Sequence, residues 1–285
     1  MRVEILGSGG AATIPRPGCQ CRVCAEARVR GVPHARTGPS VFVHGPNILF
    51  DTPEESKLQI DRAGIREIAA CFYSHWHPDH TMGRRMFETR NGDFRTWPLA
   101  LKRPLVTDVY LPEQVAFDFR TYLGGWDHLL FMQERGWIRL YELSDGDIVR
   151  IGDVTVRPFR LAEDYVYAFE LTDAGGRRLF LAMDELNGWV PPADIRGCQL
   201  AVLPRGIDEH DPFTGERRVH QDHPVLRFEA TFAETLEIVD RLEAERVVMM
   251  HIEEFDGLSH DDLLRLEPIV GRNITFAYDG FVVDV

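Results

Sequence analysis

The sequence predicts an α/β protein organised as one layered domain over residues 1–285, and three observations carry that expectation. Apolar runs of strand length recur along the whole chain, among them Ile68 to Tyr73 and Val247 to Met250. From Ile138 to Met183 the pattern turns to period two, with Asp145-Gly146, Gly152-Asp153 and Gly175-Gly176 as turns, and reads as an antiparallel meander. Helical spacing appears between the strands, most clearly where Phe232, Leu236, Val239 and Leu242 fall on one stripe of Thr231 to Glu243. At 285 residues, with 44% hydrophobic residues, 17 Phe and 5 Trp, the chain can bury a full core.

In chain order, residues 2 to 6 form a first strand and run into Gly7-Ser8-Gly9-Gly10-Ala11-Ala12. The spacing imitates a phosphate-cradling glycine turn, but Thr13-Ile14-Pro15-Arg16-Pro17 cannot open the helix that such a turn requires. A tight strand-to-loop turn near the active site is the better reading. Val41 to His44 and Asn47 to Asp51 form a hairpin about Gly45-Pro46, and Asp51 ends a strand in a position to orient a ligand. Glu54 to Ala63 has helical spacing, and residues 84 to 105, with mixed charge and two prolines, read as a surface excursion beside a site. Asp108 to Leu111 is a strand, Pro112 starts a helix, and Trp126 to Arg135 is another helix. Leu200 to Leu203 is a strand, residues 204 to 226 a polar loop, and Val247 to Met250 a buried strand ending at His251. A helix from about Ser259 and two terminal strands close the chain.

The charge balance narrows the partners. A net charge of −13 disfavours a long nucleic acid, while leaving room for a small phosphorylated molecule at local Arg clusters. Met1 to Leu6 is too short for a signal peptide and no apolar run reaches membrane-span length, so a cytoplasmic protein without a membrane partner is expected. A homodimer is left open. The 5 cysteines are odd in number, and Cys19, Cys21 and Cys24 crowd together in a pattern that suits thiolates on a metal better than disulfides. Their spacing fits a structural zinc with its fourth ligand elsewhere, free thiols being the other reading. Cys71 and Cys198 sit in or before apolar strands and read as small core residues.

The most informative stretch is Ser74-His75-Trp76-His77-Pro78-Asp79-His80, directly after the apolar run that ends at Tyr73. Three imidazoles and a carboxylate at the end of a strand are the ligand types that hold zinc, manganese or iron. Two pairs spaced this way can face two adjacent metal positions.

With His75, His77, Asp79 and His80 after one strand, Asp184 after the strand Leu179 to Met183 and His251 after the last long strand, the chain resembles the metallo-β-lactamase superfamily over nearly all of its length. The resemblance implies a four-layer αββα sandwich of two mixed sheets flanked by helices, with the metals at one edge. It implies that His75 and His77 hold a first divalent ion, that Asp79, His80 and His251 hold a second, and that Asp184 bridges them. The glycine turn and the C-x-C-x-x-C block look more narrowly like the branch containing phosphoribosyl cyclic phosphate phosphodiesterase, with the pyrroloquinoline-quinone-associated branch as a neighbour.

Three positions where that branch places histidine carry glutamate here. Glu163, with Asp164 as understudy, stands for the third ligand of the first metal. Glu229 stands for a catalytic or substrate-contacting histidine ahead of the Thr231 helix. Glu254, with Glu253 as understudy, stands for the fourth ligand of the cysteine zinc. A carboxylate at Glu163, with Asp79 and Asp184, makes the site harder and shifts its preference from zinc toward manganese or iron, while Glu254 could complete the zinc site of the three thiolates. Two ions about 3.5 to 4 Å apart would lower the pKa of a bound water, and Asp79 could orient the resulting hydroxide. The expected activity is therefore that of a binuclear hydrolase, phosphodiesterase-like, acting on a small phosphorylated substrate. A di-iron oxygen-activating enzyme and a non-catalytic metal-binding accessory are the alternatives. Arg205, His220 and His223, with His210, Arg217 and Arg218 in the same loop, are candidates for contacting the substrate.

Overall fold

The computed structural model describes residues 1–91, 105–162 and 165–285, and in them the strands gather into two mixed seven-stranded sheets. The first sheet takes β1 (Arg2–Gly7), β2 (Ser40–His44), β3 (Ile48–Phe50), β4 (Ala70–Phe72), β5 (Thr107–Pro112) and β6 (Ile138–Leu143), with the last strand β14 (Phe281–Asp284) beside β1. The second runs β13 (Ile274–Phe276), β12 (Val247–Met250), β11 (Leu200–Pro204), β10 (Arg178–Ala182), β9 (Tyr167–Thr172), β8 (Val154–Arg160), β7 (Val149–Ile151).

Side chains that alternate along a strand point to opposite faces of its sheet. Leu179, Leu181, Val202, Val248 and Met250 therefore join Val41, Val43, Phe50 and Phe72 in one core between the sheets. Phe180, Ala182, Ala201, Leu203, Val247 and Met249 point the other way, into a second cluster. Strands buried on both faces read as unbroken apolar runs, which is why β10, β11 and β12 lack polar alternation.

Helices complete the layers. They are α1 (Arg22–Arg30), α2 (Ser56–Ala63), α3 (Pro78–Thr81), α4 (Met86–Asn91), α5 (Glu113–Thr121), α6 (Gly125–Glu134), α7 (Phe232–Leu242) and α8 (His260–Val270). Val115, Ala116 and Phe119 of α5 and Leu129 and Met132 of α6 pack onto the first core, and Ile238, Val239, Leu263 and Leu266 of α7 and α8 onto the second. Thr231 with Glu234, and Ser259 with Asp262, close reciprocal capping boxes at the starts of α7 and α8.

Two expectations are corrected. Ile138 to Leu143 does not belong to the meander: β6 pairs in parallel with β5 in the first sheet, because α5 and α6 between them supply the crossover that a parallel pair requires. The antiparallel meander is β7 to β10. Residues 84 to 91 are not a surface excursion either, since Arg84, Met86, Phe87 and Asn91 are buried in a 3₁₀ turn and α4. The rest of that excursion falls on 92–104, outside the described residues.

The site follows from the topology. Strand β3 runs parallel to β4, and β10, β11 and β12 run parallel to one another. Asp51 follows β3, His75 follows β4, Asp184 follows β10 and His251 follows β12. The carboxyl ends of both parallel groups thus meet at one edge of the sandwich, the usual place for a ligand in parallel sheets.

Candidate metal centre

One buried carboxylate organises the approach to the cluster. Asp51, in the left-handed backbone region at φ 57°, accepts from the backbone N–H of Ser74 at 2.8 Å and from its hydroxyl at 2.6 Å. The same Oδ2 lies 2.8 Å from Nδ1 of His80. With the Ser74 proton committed to Asp51, the hydroxyl oxygen is left to accept from His75 Nδ1 at 3.0 Å. Both imidazoles thereby spend Nδ1 on these partners and turn Nε2 inward, the arrangement that prepares histidine for a metal. Pro78 at the first position of α3 sets the turn that brings Asp79 and His80 into the cluster.

The inward atoms converge. Asp184 Oδ2 lies 3.4 Å from His75 Nε2 and 3.6 Å from His80 Nε2, while its Oδ1 lies 3.3 Å from His251 Nε2. Asp79 Oδ2 is 3.3 Å from His80 Nε2 and 3.8 Å from His251 Nε2. His75, His80 and Asp184 form one group that could hold an ion, and Asp79, His80 and His251 form a second. Buried polar atoms are almost always satisfied. Here Nε2 of His75, of His80 and of His251 are all buried without a hydrogen-bond partner. Ligand atoms about 3.4 Å apart are the edges of a tetrahedron with bonds of about 2.1 Å, so the donor set and its spacing fit a divalent cation.

His77 packs its ring against His75 and Tyr165, with centroids 4.5 and 5.4 Å apart, at the rim of the first group. Glu163 and Asp164 lie outside the described residues. The charges reinforce one another. Burial, with the neighbouring His80 and His77, holds the His75 pKa well below its usual range. Burial would lower His80 too, but Asp79 and Asp51 raise it well above. Burial opposes the shift at His251 as well, yet Asp184 and Asp79 push it up to about 9. Against the same burial, His80 and His251 hold Asp79 far below the ordinary carboxylate range.

Beside the cluster opens a cavity of about 150 Å³ lined by Asp184, Glu185, Glu229, Glu253 and His251. Burial and the facing Glu229 push Glu185 up to about 10, and burial raises Glu229. Glu253 accepts from the N–H groups of Ala11 at 3.0 Å and Ala12 at 2.8 Å, and its Oε1 lies 3.5 Å from His251 Nδ1. The turn from Gly7 to Ala12 therefore wraps the residues after β12, near the site as its composition suggested.

Residues 39–252 match the model of the beta-lactamase superfamily domain, a span that contains every histidine and aspartate of the cluster. The chain belongs to the metallo-β-lactamase superfamily. Among curated proteins it is similar to an octanoyltransferase of Porphyromonas gingivalis, 24% identical over 98% of this chain and 51% of that protein. It is also similar to a ribonuclease Z of Archaeoglobus fulgidus, 28% identical over 50% of this chain and 45% of that protein. The chain thus spans about half the length of the curated relatives it matches.

Among solved structures, a diphosphatase from the PhnP family superposes with a TM-score of 0.71 at 21% identity, covering 100% of this chain and 97% of the other. Zinc-bound PqqB from Methylobacterium extorquens gives 0.71 at 17% identity, covering 100% of both. A CmlA β-hydroxylase gives 0.54 at 14% identity, covering 87% of this chain and 52% of that one.

Outside the superfamily match, the structure gathers Cys19, Cys21, Cys24 and Glu254. The three thiols donate to Glu254 Oε1 at 3.1, 2.9 and 3.4 Å, and Arg16 Nε lies 3.2 Å from Oε2. The fourth ligand expected from far along the chain is thus beside the sulfurs, in a set that could hold a zinc ion. Burial pushes the Cys24 thiol up to about 12, and hydrogen bonding to the Cys21 backbone lowers Cys19.

The expected substrate contacts of the loop 204–226 are placed elsewhere. Arg205 is 0% exposed, with Asp208 at 2.7 Å, Asp256 at 3.0 Å and its guanidinium over the Phe232 ring. Two carboxylates neutralise it, so it offers no free charge to a substrate. His220 and His223 are exposed and spend Nδ1 on the backbone N–H of Asp222 and of Val225. None of the three lines the cavity. Glu229 does. Glu185, which sequence reasoning missed, had one signal: a second acid directly after Asp184 at the end of β10.

Proposed function

We propose that this chain is a metal-dependent hydrolase that cleaves a phosphodiester bond in a small substrate. The observation that carries the reading is the convergence of three buried, unpartnered imidazole nitrogens and two carboxylates on one edge of the sandwich. Divalent ions, which His75, His80 and Asp184, with His77 at the rim, and Asp79, His80 and His251 would hold, would supply Lewis acidity and a water of lowered pKa. The chain's own residues do the rest. Asp79, whose Oδ2 lies 3.3 Å from His80 Nε2 and 3.8 Å from His251 Nε2, orients the attacking water. Asp184 presents one oxygen to each group and fixes their separation. Glu229 stands on the cavity wall as the residue that contacts the substrate. The activities of similar proteins, a ribonuclease and a diphosphatase, support cleavage at phosphorus as the reaction class.

The test is elemental analysis of the protein as isolated, anomalous scattering to place each metal, and assay against cyclic and aryl phosphodiesters. Turnover that disappears in Asp79→Ala and Asp184→Ala supports the reading. Protein that carries its metals in full and cleaves no phosphodiester refutes it.

A second reading, oxygen activation at a di-iron site, is favoured by the carboxylates Glu185, Glu229 and Glu253 around the cluster and by a β-hydroxylase among proteins of this fold. It requires iron in the isolated protein. Zinc alone in protein expressed with iron available would exclude it.

A further inference from the structure

We propose that the cavity beside the metal ligands seats a compact, uncharged group of the substrate, whose single hydroxyl or carbonyl oxygen meets Thr235 Oγ1. This deepens the hydrolase reading and rests on it, because it names what the cleaved molecule carries beside the scissile bond. The polar groups of the cavity wall are nearly all spoken for. Asp184 and His251 belong to the metal cluster. Glu253 accepts from the N–H groups of Ala11 and Ala12. The Glu185 and Glu229 carboxyls face one another within hydrogen-bonding range and satisfy each other, and Glu185 also accepts from the N–H of Ala230 at 3.0 Å. Thr235 is the polar residue of the wall that remains.

Thr235, in α7, is 0% exposed, and its Oγ1 is buried without a hydrogen-bond partner among the described residues. A threonine inside a helix commonly returns its hydroxyl to the carbonyl four residues back. Here the Thr231 carbonyl takes the N–H of Thr235 at 2.9 Å, and the hydroxyl is not spent on it. Gly206 packs against the same atom: a Cβ on this glycine, whose φ is +78°, would lie 2.9 Å from Thr235 Oγ1 and 2.6 Å from the Ala230 carbonyl oxygen. Any larger residue there would press on the hydroxyl, and Gly206 and Thr235 both line the cavity. Buried hydroxyls are nearly always paired. One that is not is complementary to a ligand oxygen that gives or takes a single hydrogen bond.

Size and surroundings restrict the ligand further. Leu186, Pro204, Ile207, Val225 and Phe255 give the cavity apolar walls, and Phe255, 67% exposed, carries that surface outward. No Lys or Arg lies among its described lining residues. An anionic group would therefore meet carboxylates without a cation, and an ammonium group would find those carboxyls already partnered. A volume of about 150 Å³ matches the size at which an engineered apolar cavity admits benzene. The substrate class is therefore a small phosphodiester whose group beside the scissile bond is an uncharged ring, or a short branched chain, bearing one oxygen.

The experiment is calorimetric titration of the metal-loaded protein with benzyl alcohol, toluene, benzylamine and benzoate at pH 7.5, in the parent, Thr235→Val and Thr235→Ser. Expected in the parent is a preference of at least fivefold for benzyl alcohol over each of the other three. Thr235→Val, at unchanged metal content, should bring the alcohol within twofold of toluene, whereas Thr235→Ser, which keeps the hydroxyl, should retain the preference. Equal binding of alcohol and toluene by the parent overturns the proposal, as does tightest binding of the amine or of benzoate, or no binding of any probe. A preference that survives Thr235→Val overturns it too, and its loss on chelation would then assign the alcohol to the metal. Phosphodiester turnover is read separately. Selective binding of the alcohol without cleavage keeps the Thr235 site and removes the hydrolase reading, whereas cleavage without that selectivity does the reverse.

Discussion

Asp51 Oδ2 sits 2.8 Å behind Nδ1 of His80, and this contact decides which way the imidazole faces the cluster. Both residues are fully buried and belong to different elements, Asp51 in the loop after β3 and His80 in helix α3. The histidine is thus aimed by a carboxylate that is outside both groups of candidate ligands. Partners of this kind fix the tautomer and raise the basicity of the ligand nitrogen.

Asp51→Asn should therefore lower the affinity of the cluster around His80 for a divalent metal by about 10- to 100-fold while leaving the fold intact. Chelator competition monitored by metal analysis, with thermal unfolding as the control for folding, measures it. Unchanged affinity would mean that Asp51 serves only to anchor Ser74.

Gly10 tests the glycine turn. A Cβ at this position would lie 2.1 Å from Oε1 of Glu253, and 2.5 Å from Nδ1 and 2.6 Å from Cε1 of His251, closer than real Cβ contacts come. Gly10→Ala must then push both the Glu253 carboxylate and the His251 ring beside it, since the backbone on either side is tied to Thr37 and Glu253. A displacement of about 1 Å in such a group costs on the order of 100-fold in turnover. Steady-state kinetics together with metal content should show reduced kcat and a weakened second metal. Parental values of both would show that the ring is free to yield.

What the sequence revealed divides by distance along the chain. The cluster from His75 to His80 was legible because four ligand-type residues occur within six positions at a strand end. Asp51 could be suspected of orienting a ligand for the same reason, because it too ends a strand. Glu185 was not legible as half of a pair, because Glu229 reaches it only through the packing of the loop before α7 against β10 and β11. Arg205 looked available because one of its two carboxylates, Asp256, lies 51 residues on and only the fold brings it near. The period-two pattern of β6 could not reveal its sheet: a strand with one half-covered face reads alike whether its partner is parallel or antiparallel.

The thiol cluster should behave as a metal site independent of the catalytic edge. Cys21→Ser is expected to remove about one equivalent of zinc and lower the thermal midpoint, because metal affinity in such sites is folding energy. Glu254→His, which exchanges the carboxylate for the better zinc ligand, should retain the metal and tighten it. Elemental analysis of both variants decides the matter, and identical zinc content in parent and Cys21→Ser would show that the thiols serve only as hydrogen-bond donors to Glu254.

Acid should loosen the fold through His260, away from the metal ligands. Burial, with Arg36 and His34 beside it, lowers its pKa from 6.5 to about 4, and its ring packs edge-on against His34 and Tyr278. The folded histidine thus takes up its proton only near pH 4, whereas the unfolded chain does so near 6.5. Between these values the unfolded state binds more protons, so stability rises with pH across the window and is lost as pH falls through it. The contribution is fully present above about pH 6.5 and gone below about 4. Replacing the histidine by a group that does not titrate, His260→Gln, should flatten this part of the profile without altering it near neutrality beyond a constant offset. Urea midpoints of the two proteins, measured at half-unit steps from pH 4 to 7.5 in the presence of chelator, give the difference directly. Parallel curves would assign the acid sensitivity to other groups.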